Sequence, residues 1–151
     1  MKKEYIEMNV FDALQKRFAF LFQEFKNIYI SFSGGKDSGV LLNLLLDYRN
    51  KHASDRVIGV FHQDFEAQYT VTTDYITRTF KRLENESGID PYWVCLPMAT
   101  RTALSSYEMY WYPWDDTKQD IWVRPMPEYP YVINLTKPFA HYRYRMHQED
   151  L

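Results

Sequence analysis

The hexapeptide Ser33-Gly34-Gly35-Lys36-Asp37-Ser38 lies between two apolar runs, Ile28-Tyr29-Ile30-Ser31-Phe32 before it and Gly39-Val40-Leu41-Leu42-Asn43-Leu44-Leu45-Leu46 after it. A short β-branched and aromatic run that stops at a polar, glycine-bearing segment and resumes as a leucine-rich one reads as strand, tight loop, helix. Two adjacent glycines let the backbone take positive φ and turn successive N–H groups toward one point. Ser33 and Ser38 add hydroxyl donors and Lys36 a mobile positive charge, so the loop reads as a cradle for phosphate. The other reading is a polar turn in which Ser33 or Asp37 caps the following helix. The spacing is neither that of a Walker loop nor that of the Gly-x-Gly-x-x-Gly dinucleotide fingerprint.

Around this loop the pattern alternates. Asn9 can cap a helix whose Phe11, Leu14, Phe18, Leu21, Phe22 and Phe25 recur at helical spacing, a stripe that belongs to a core or an interface. A strand over about 27–33 leads through the loop into a helix to about His52. A second strand spans about 56–63, a third helix about 69–86 with Gly88 as its C-terminal cap, and a third strand about 92–96. Strands separated by helices predict a parallel sheet with right-handed crossovers. After Pro97 the periodicity is lost. A short helix from Arg101 through Tyr107 is expected, then irregular aromatic packing from Tyr110 to Asp116, a short strand at Ile121 to Arg124, and a segment broken by Pro125, Pro127 and Pro130. The tail from Lys137 to Leu151 interleaves His141, Arg143, Arg145 and His147 with aromatic residues, and reads as a solvated helix or ragged terminus more readily than as a nucleic-acid contact.

The segment SFSGGKDSGVLL resembles the PP-loop of the adenine nucleotide alpha hydrolases, and within them the phosphoadenosine phosphosulfate (PAPS) reductase-like branch. Val57-Ile58-Gly59-Val60-Phe61-His62-Gln63-Asp64-Phe65-Glu66-Ala67-Gln68-Tyr69 is similar to the second-strand segment of an uncharacterised bacterial and phage subgroup of that branch, and Tyr92-Trp93-Val94-Cys95-Leu96-Pro97 is similar too. The resemblance implies a three-layer, doubly wound α/β fold, here in a short form of about three or four parallel strands. It also implies ATP or a related adenine nucleotide as ligand, with Mg²⁺. Such proteins cut ATP between its α and β phosphates, releasing pyrophosphate and adenylylating a substrate or supporting sulfur transfer. The alternative is a non-catalytic scaffold that acts by binding a partner protein.

The expected site gathers Ser33, Gly34, Gly35, Lys36, Asp37 and Ser38, with Lys36 and Asp64 as the candidates for catalysis. In a doubly wound sheet the ligand lies beyond the carboxyl ends of the strands, where the second strand delivers Asp64. Asp64 is then a ligand of Mg²⁺ or, alternatively, a helix cap or an ion-pair partner of Lys36 or an arginine. Glu66 and Gln68 flank it and are candidates to orient substrate. Asp37 is expected to turn away from the anion in a structural role. The resemblance places adenine against Phe32 and the Val60 to His62 end of the second strand, Phe61 included, with His62 either a general base or simply hydrogen-bonded.

True PAPS reductases carry a C-terminal Glu-Cys-Gly-Leu-His segment, and nothing in the sequence corresponds to it. The lone cysteine, Cys95, lies in an apolar strand where a thiolate is disfavoured, so thiol-dependent PAPS reduction is not expected. A single cysteine, no apolar leader after Met1-Lys2-Lys3-Glu4-Tyr5 and no run long enough to span a bilayer point to a cytoplasmic protein without a membrane partner. A net charge of −2 provides no global attraction to nucleic acid. All 151 residues are read as one domain, its aromatic and proline-rich part starting at about 98. Relatives continue past this length with further strands, so the chain reads as C-terminally truncated, with its first strand left at an apolar edge. Residues 111 to 132, a second copy or a partner protein would then cover that edge.

Overall fold

The computed structural model describes residue 5 and residues 7–151, and the leading residues read above for a leader lie largely outside that range. The expected alternation is present. Helix α1 (Val10–Glu24) starts at Asn9, whose side chain accepts from the Asp12 N–H. Strand β1 (Ile28–Ser31) is followed by α2 (Lys36–His52), β2 (Ile58–Gln63), α3 (Thr70–Leu83) and β3 (Ile89–Val94). The three strands pair in parallel in the order β1-β2-β3. A fourth, β6 (Val132–Ile133), pairs in parallel with Trp93–Val94 on the far side of β3. The α/β parallel-sheet class is therefore as the sequence implied.

Period-2 alternation sorts the strands into two faces. Ile30, Ile58, Val60, Ile89 and Trp93 are buried in one core with Phe18 and Phe22 of α1, Leu42, Leu45 and Leu46 of α2, and Ile76, Phe80 and Leu83 of α3. Thus all three helices lie on one face. The other face carries Val94, packed with Phe61, Tyr92, Phe139 and Tyr142, so its cover is irregular chain from the C-terminal part rather than helix.

Beyond Pro97 four local expectations are corrected. No helix forms at 101–107. Instead β4 (Thr100–Arg101) pairs antiparallel with β5 (Tyr110–Trp111), because Thr102 and Ser105 hydroxyls accept from the backbone N–H groups of Leu104, Tyr107 and Glu108 and so compete with helical bonds. No strand forms at 121–124, where a 3-10 turn over Asp116–Ile121 precedes Val123 and Arg124, both engaged by acidic side chains of the β2–α3 connection. The tail is not a solvated helix. Met146 is buried, Ala99 bridges to His147, and only Gln148–Asp150 forms a 3-10 turn. Finally, residues 111–132 do not cover β1. Their end instead joins the opposite edge through β6, and β1 has no second neighbour among the described residues.

Two further details follow from backbone chemistry. Gly88, at φ +76°, lies beyond the end of α3 rather than at its cap, and a Cβ there would collide with the buried Arg49 guanidinium. Pro91 is tolerated inside β3 because β6 begins opposite Trp93, leaving no acceptor where its missing N–H would have pointed.

Candidate functional site

The loop leaves β1 with the Phe32 N–H bonded to the Phe61 carbonyl at 2.7 Å, which ties its start to β2. Gly34 has φ +78°, and a Cβ on it would lie 2.8 Å from Ile76 Cγ1 and 3.1 Å from Thr72 Cγ2. Glycine is required there twice over, by conformation and by the closeness of α3. Gly35 is the N-cap of α2 and provides no side-chain bond, so the first turn, Lys36 to Ser38, presents N–H groups that no cap satisfies. The two serines shape the loop from within. Ser33 Oγ lies 3.0 Å from Ser38 Oγ, the Ser33 N–H donates to Ser38 Oγ at 3.2 Å, and Ser38 Oγ donates to the Gly35 carbonyl at 3.1 Å. Lys36 and Asp37 project outward, with side chains 90% and 92% exposed and 3.7 Å apart. The Ser33 and Gly35 N–H groups are held within the loop, by Ser38 Oγ and Ser33 Oγ, so its open mouth is the uncapped first turn from Lys36 to Ser38, with an exposed ammonium beside Asp37 at its rim and the partial positive end of a 17-residue helix behind it.

Asp64 has a different environment. Its carboxylate is fully buried and accepts from Arg124 Nη2 on both oxygens, from Trp93 Nε1 at 2.7 Å and from the Glu66 N–H at 2.7 Å. Glu66, at φ +63°, accepts the Trp114 N–H at 3.0 Å and the Val123 N–H at 3.1 Å on its two carboxylate oxygens. Its carbonyl accepts Arg124 Nε, and the Asp64 carbonyl accepts Trp114 Nε1. The guanidinium lies over the Trp114 ring, 4.8 Å from its centroid. Two acids at the carboxyl end of β2 therefore fasten the aromatic segment 114–124 to the sheet. Of the roles open to Asp64 in the sequence, a Mg²⁺ ligand, a helix cap or an ion pair with Lys36 or an arginine, the structure gives it the arginine ion pair. A divalent cation does not fit there, since both oxygens are spent, and no group of three His, Cys, Asp or Glu side chains able to hold a metal occurs among the described residues.

The residues expected to hold adenine are not brought together. Phe32 is 1% exposed and packed against Tyr75 and Phe80 on the helix side, where Val60 and His62 are buried too. Phe61 points to the opposite face, into a cavity of about 730 Å³ that it shares with Tyr29, Tyr92 and Phe139. Phe32 and Phe61 cannot both touch one base. His62 is hydrogen-bonded rather than free, its Nδ1 2.8 Å from the Phe32 carbonyl, which makes Nδ1 the protonated nitrogen. Burial lowers its pKa, helped by the Arg124 charge and opposed by the Phe32 carbonyl and Asp64. A cavity of about 660 Å³ is lined by Ala67, Gln68, Tyr69, Val123 and Thr72, the last also the neighbour that a Cβ on Gly34 would meet. Of these, only Gln68 is a candidate on sequence grounds.

Cys95 is fully buried, 3.8 Å from Asp64 Oδ2, and burial pushes its thiol pKa far up. Arg124, Trp93 and Trp114 escape a sequence reading of the site. The one signal for them is that Arg124 is the single arginine between Tyr110 and Val132, a stretch otherwise rich in aromatic rings.

A model of the phosphoadenosine phosphosulfate reductase domain matches residues 27–112, from the start of β1 to just past β5. The chain belongs to that family. The chain is also similar to the uncharacterized protein YbdN of Escherichia coli (strain K12), 31% identical over 123 residues that make up 82% of this chain and 29% of YbdN. The chain therefore spans less than a third of that relative's length. No solved structure matches it. Membership in the PAPS reductase family supports a nucleotide-related function. The matched span holds the loop, Asp64 and Glu66, whereas Arg124 lies outside it.

Proposed function

We propose that this chain binds ATP or a related adenine nucleotide through the loop from Ser33 to Ser38. The observation that carries this reading is the uncapped first turn of α2, with Gly35 as a cap lacking a side chain and Lys36 solvent-exposed at the rim, its one ion-pair contact the equally exposed Asp37. A polyphosphate supplies the acceptors that those N–H groups lack and a counter-charge for the ammonium. The family's chemistry extends the proposal to cleavage of ATP into AMP and pyrophosphate, with transfer of the adenylyl group or support of sulfur transfer. Mg²⁺ enters only as a companion of the nucleotide, because Asp64 has no free oxygen to offer it.

A second reading, nucleotide binding without turnover on a scaffold that serves a partner protein, is favoured by the commitment of Asp64 to Arg124. One experiment separates the readings. Calorimetric titration with Mg²⁺-ATP is run beside analysis of the same mixture for AMP and pyrophosphate. Binding with product supports the enzyme, binding without product supports the scaffold, and absence of binding refutes both as stated. Lys36→Ala should weaken binding by about 1.5–3 kcal/mol, the worth of a charge-assisted phosphate contact.

A further inference from the structure

We propose that His62 is a positioning residue for the phosphate loop: through the Phe32 carbonyl it sets the orientation of the Phe32–Ser33 peptide, and through that peptide the two serines that shape the loop. The β1–β2 ladder ends at the Ser31–Phe61 pair. One residue on, the Phe32 N–H still donates to the Phe61 carbonyl, while the Phe32 carbonyl accepts from His62 Nδ1 at 2.8 Å. Phe32 is thus tied to β2 on both its polar groups, once by main chain and once by side chain. Nε2 of the same ring finds no partner among the described residues and lies among the rings of Phe80 and Trp93, whose centroids are 6.1 Å and 5.5 Å from that of the imidazole. The ring therefore carries its proton on Nδ1, the nitrogen that has an acceptor.

A peptide unit is planar, so whatever holds its carbonyl also aims its N–H. The N–H in the same plane as the Phe32 carbonyl is that of Ser33, and it donates to Ser38 Oγ at 3.2 Å. Ser38 Oγ donates in turn to the Gly35 carbonyl at 3.1 Å, and Ser33 Oγ, 3.0 Å from Ser38 Oγ, accepts from the Gly35 N–H at 3.3 Å. One chain of hydrogen bonds therefore runs from a buried imidazole to the N-cap of α2, each bond polarising the next. Without the His62 donor the peptide is free to rotate, the Ser33 N–H leaves Ser38, and the uncapped turn that is to meet phosphate loses its fixed shape. That consequence for binding rests on the nucleotide reading above, whereas the chain of bonds does not.

The first measurements need no nucleotide. Long-range proton–nitrogen correlation by NMR should show His62 as the Nδ1–H tautomer at neutral pH. His62→Phe, which keeps a ring but no donor, should speed amide exchange at Ser33 and Gly35 while β2 and β3 keep their protection, and His62→Asn, whose amide N–H stands near the place of Nδ1, should restore the slower rates. Calorimetric titration with Mg²⁺-ATP should then find affinity about five- to tenfold weaker in His62→Phe, the worth of one buried hydrogen bond, and within about twofold of wild type in His62→Asn. Ser38→Ala cuts the chain at its far end and should shift the His62 Nδ1 proton resonance, which keeps the proposal testable where His62→Phe fails to fold. An Nε2–H tautomer overturns the proposal. So does Ser33 exchange that is unchanged in His62→Phe, or an ATP affinity lost equally in His62→Phe and His62→Asn. Wild type that takes no Mg²⁺-ATP refutes the nucleotide reading instead, and the tautomer and the exchange rates then decide the role of His62.

Discussion

Arg124 closes on both carboxylate oxygens of Asp64, a residue 60 positions earlier in the chain, and Asp64 is completely buried under the contact. Removal of the guanidinium leaves a buried charge held by Trp93 Nε1, the Glu66 N–H and the weak thiol donor of Cys95. Arg124→Met should therefore cost about 3–5 kcal/mol, the usual penalty for breaking a buried pair from one side. Urea unfolding followed by tryptophan fluorescence measures it. The double variant Asp64→Asn with Arg124→Met should recover part of the loss, and a cost below about 1 kcal/mol in the single variant would show that the pair does not anchor segment 114–124.

The two loop glycines should respond differently to alanine. Gly34→Ala meets both a positive φ and the side chain of Ile76, and should lose roughly 1–3 kcal/mol of stability together with nucleotide affinity. Gly35, at φ −82° with only Ser33 Oγ near its missing Cβ, should tolerate alanine at under about 1 kcal/mol. Thermal unfolding of the two variants side by side decides the point, and equal losses would contradict the loop geometry.

His62 makes stability fall in acid. Its pKa is lowered in the folded protein by burial, so between the unfolded value of about 6.5 and the lower folded value the unfolded chain binds the extra proton and the folded chain does not. The contribution is whole above that window and is lost as pH drops through it. Urea midpoints taken from neutral to mildly acidic pH should decline more steeply in wild type than in His62→Gln. Parallel profiles would mean that His62 does not titrate in the way its burial demands.

Cys95 should be inert while the fold is intact. Its thiol is buried and its pKa raised by that burial, with the Asp64 charge adding to the effect, so the thiolate needed for alkylation is scarce. Cys95→Ala should leave nucleotide affinity unchanged and cost on the order of 1 kcal/mol in packing. Labelling by a thiol reagent should track unfolding in urea. Fast labelling of the native protein with loss of nucleotide binding would overturn this account.

The strand, loop and helix around Ser33 to Ser38 were legible in the sequence because each is dictated by local chemistry. An apolar run, adjacent glycines and a leucine-rich helix need no distant partner to declare themselves, and the same is true of the alternation that yields β1, β2 and β3. The positive φ of Gly34 is of this kind. That a Cβ there would also strike Ile76 is not, because 42 residues separate the two positions and α3 has to dock before they meet.

Everything decided by contact between remote segments was settled only in the tertiary structure. Residues 98–151 have no sustained period, so whether they covered β1 or extended the sheet beyond β3 depended on where Tyr131 and Ile133 found the N–H groups of Trp93 and Cys95. Asp64 illustrates the same limit in one residue. Its position at the end of β2 follows from strand alternation, but a carboxylate there can face solvent, a cation or an arginine. Arg124 determines the outcome by arriving from another part of the chain, since a buried acid is stable only beside the charge and donors that the completed fold brings to it.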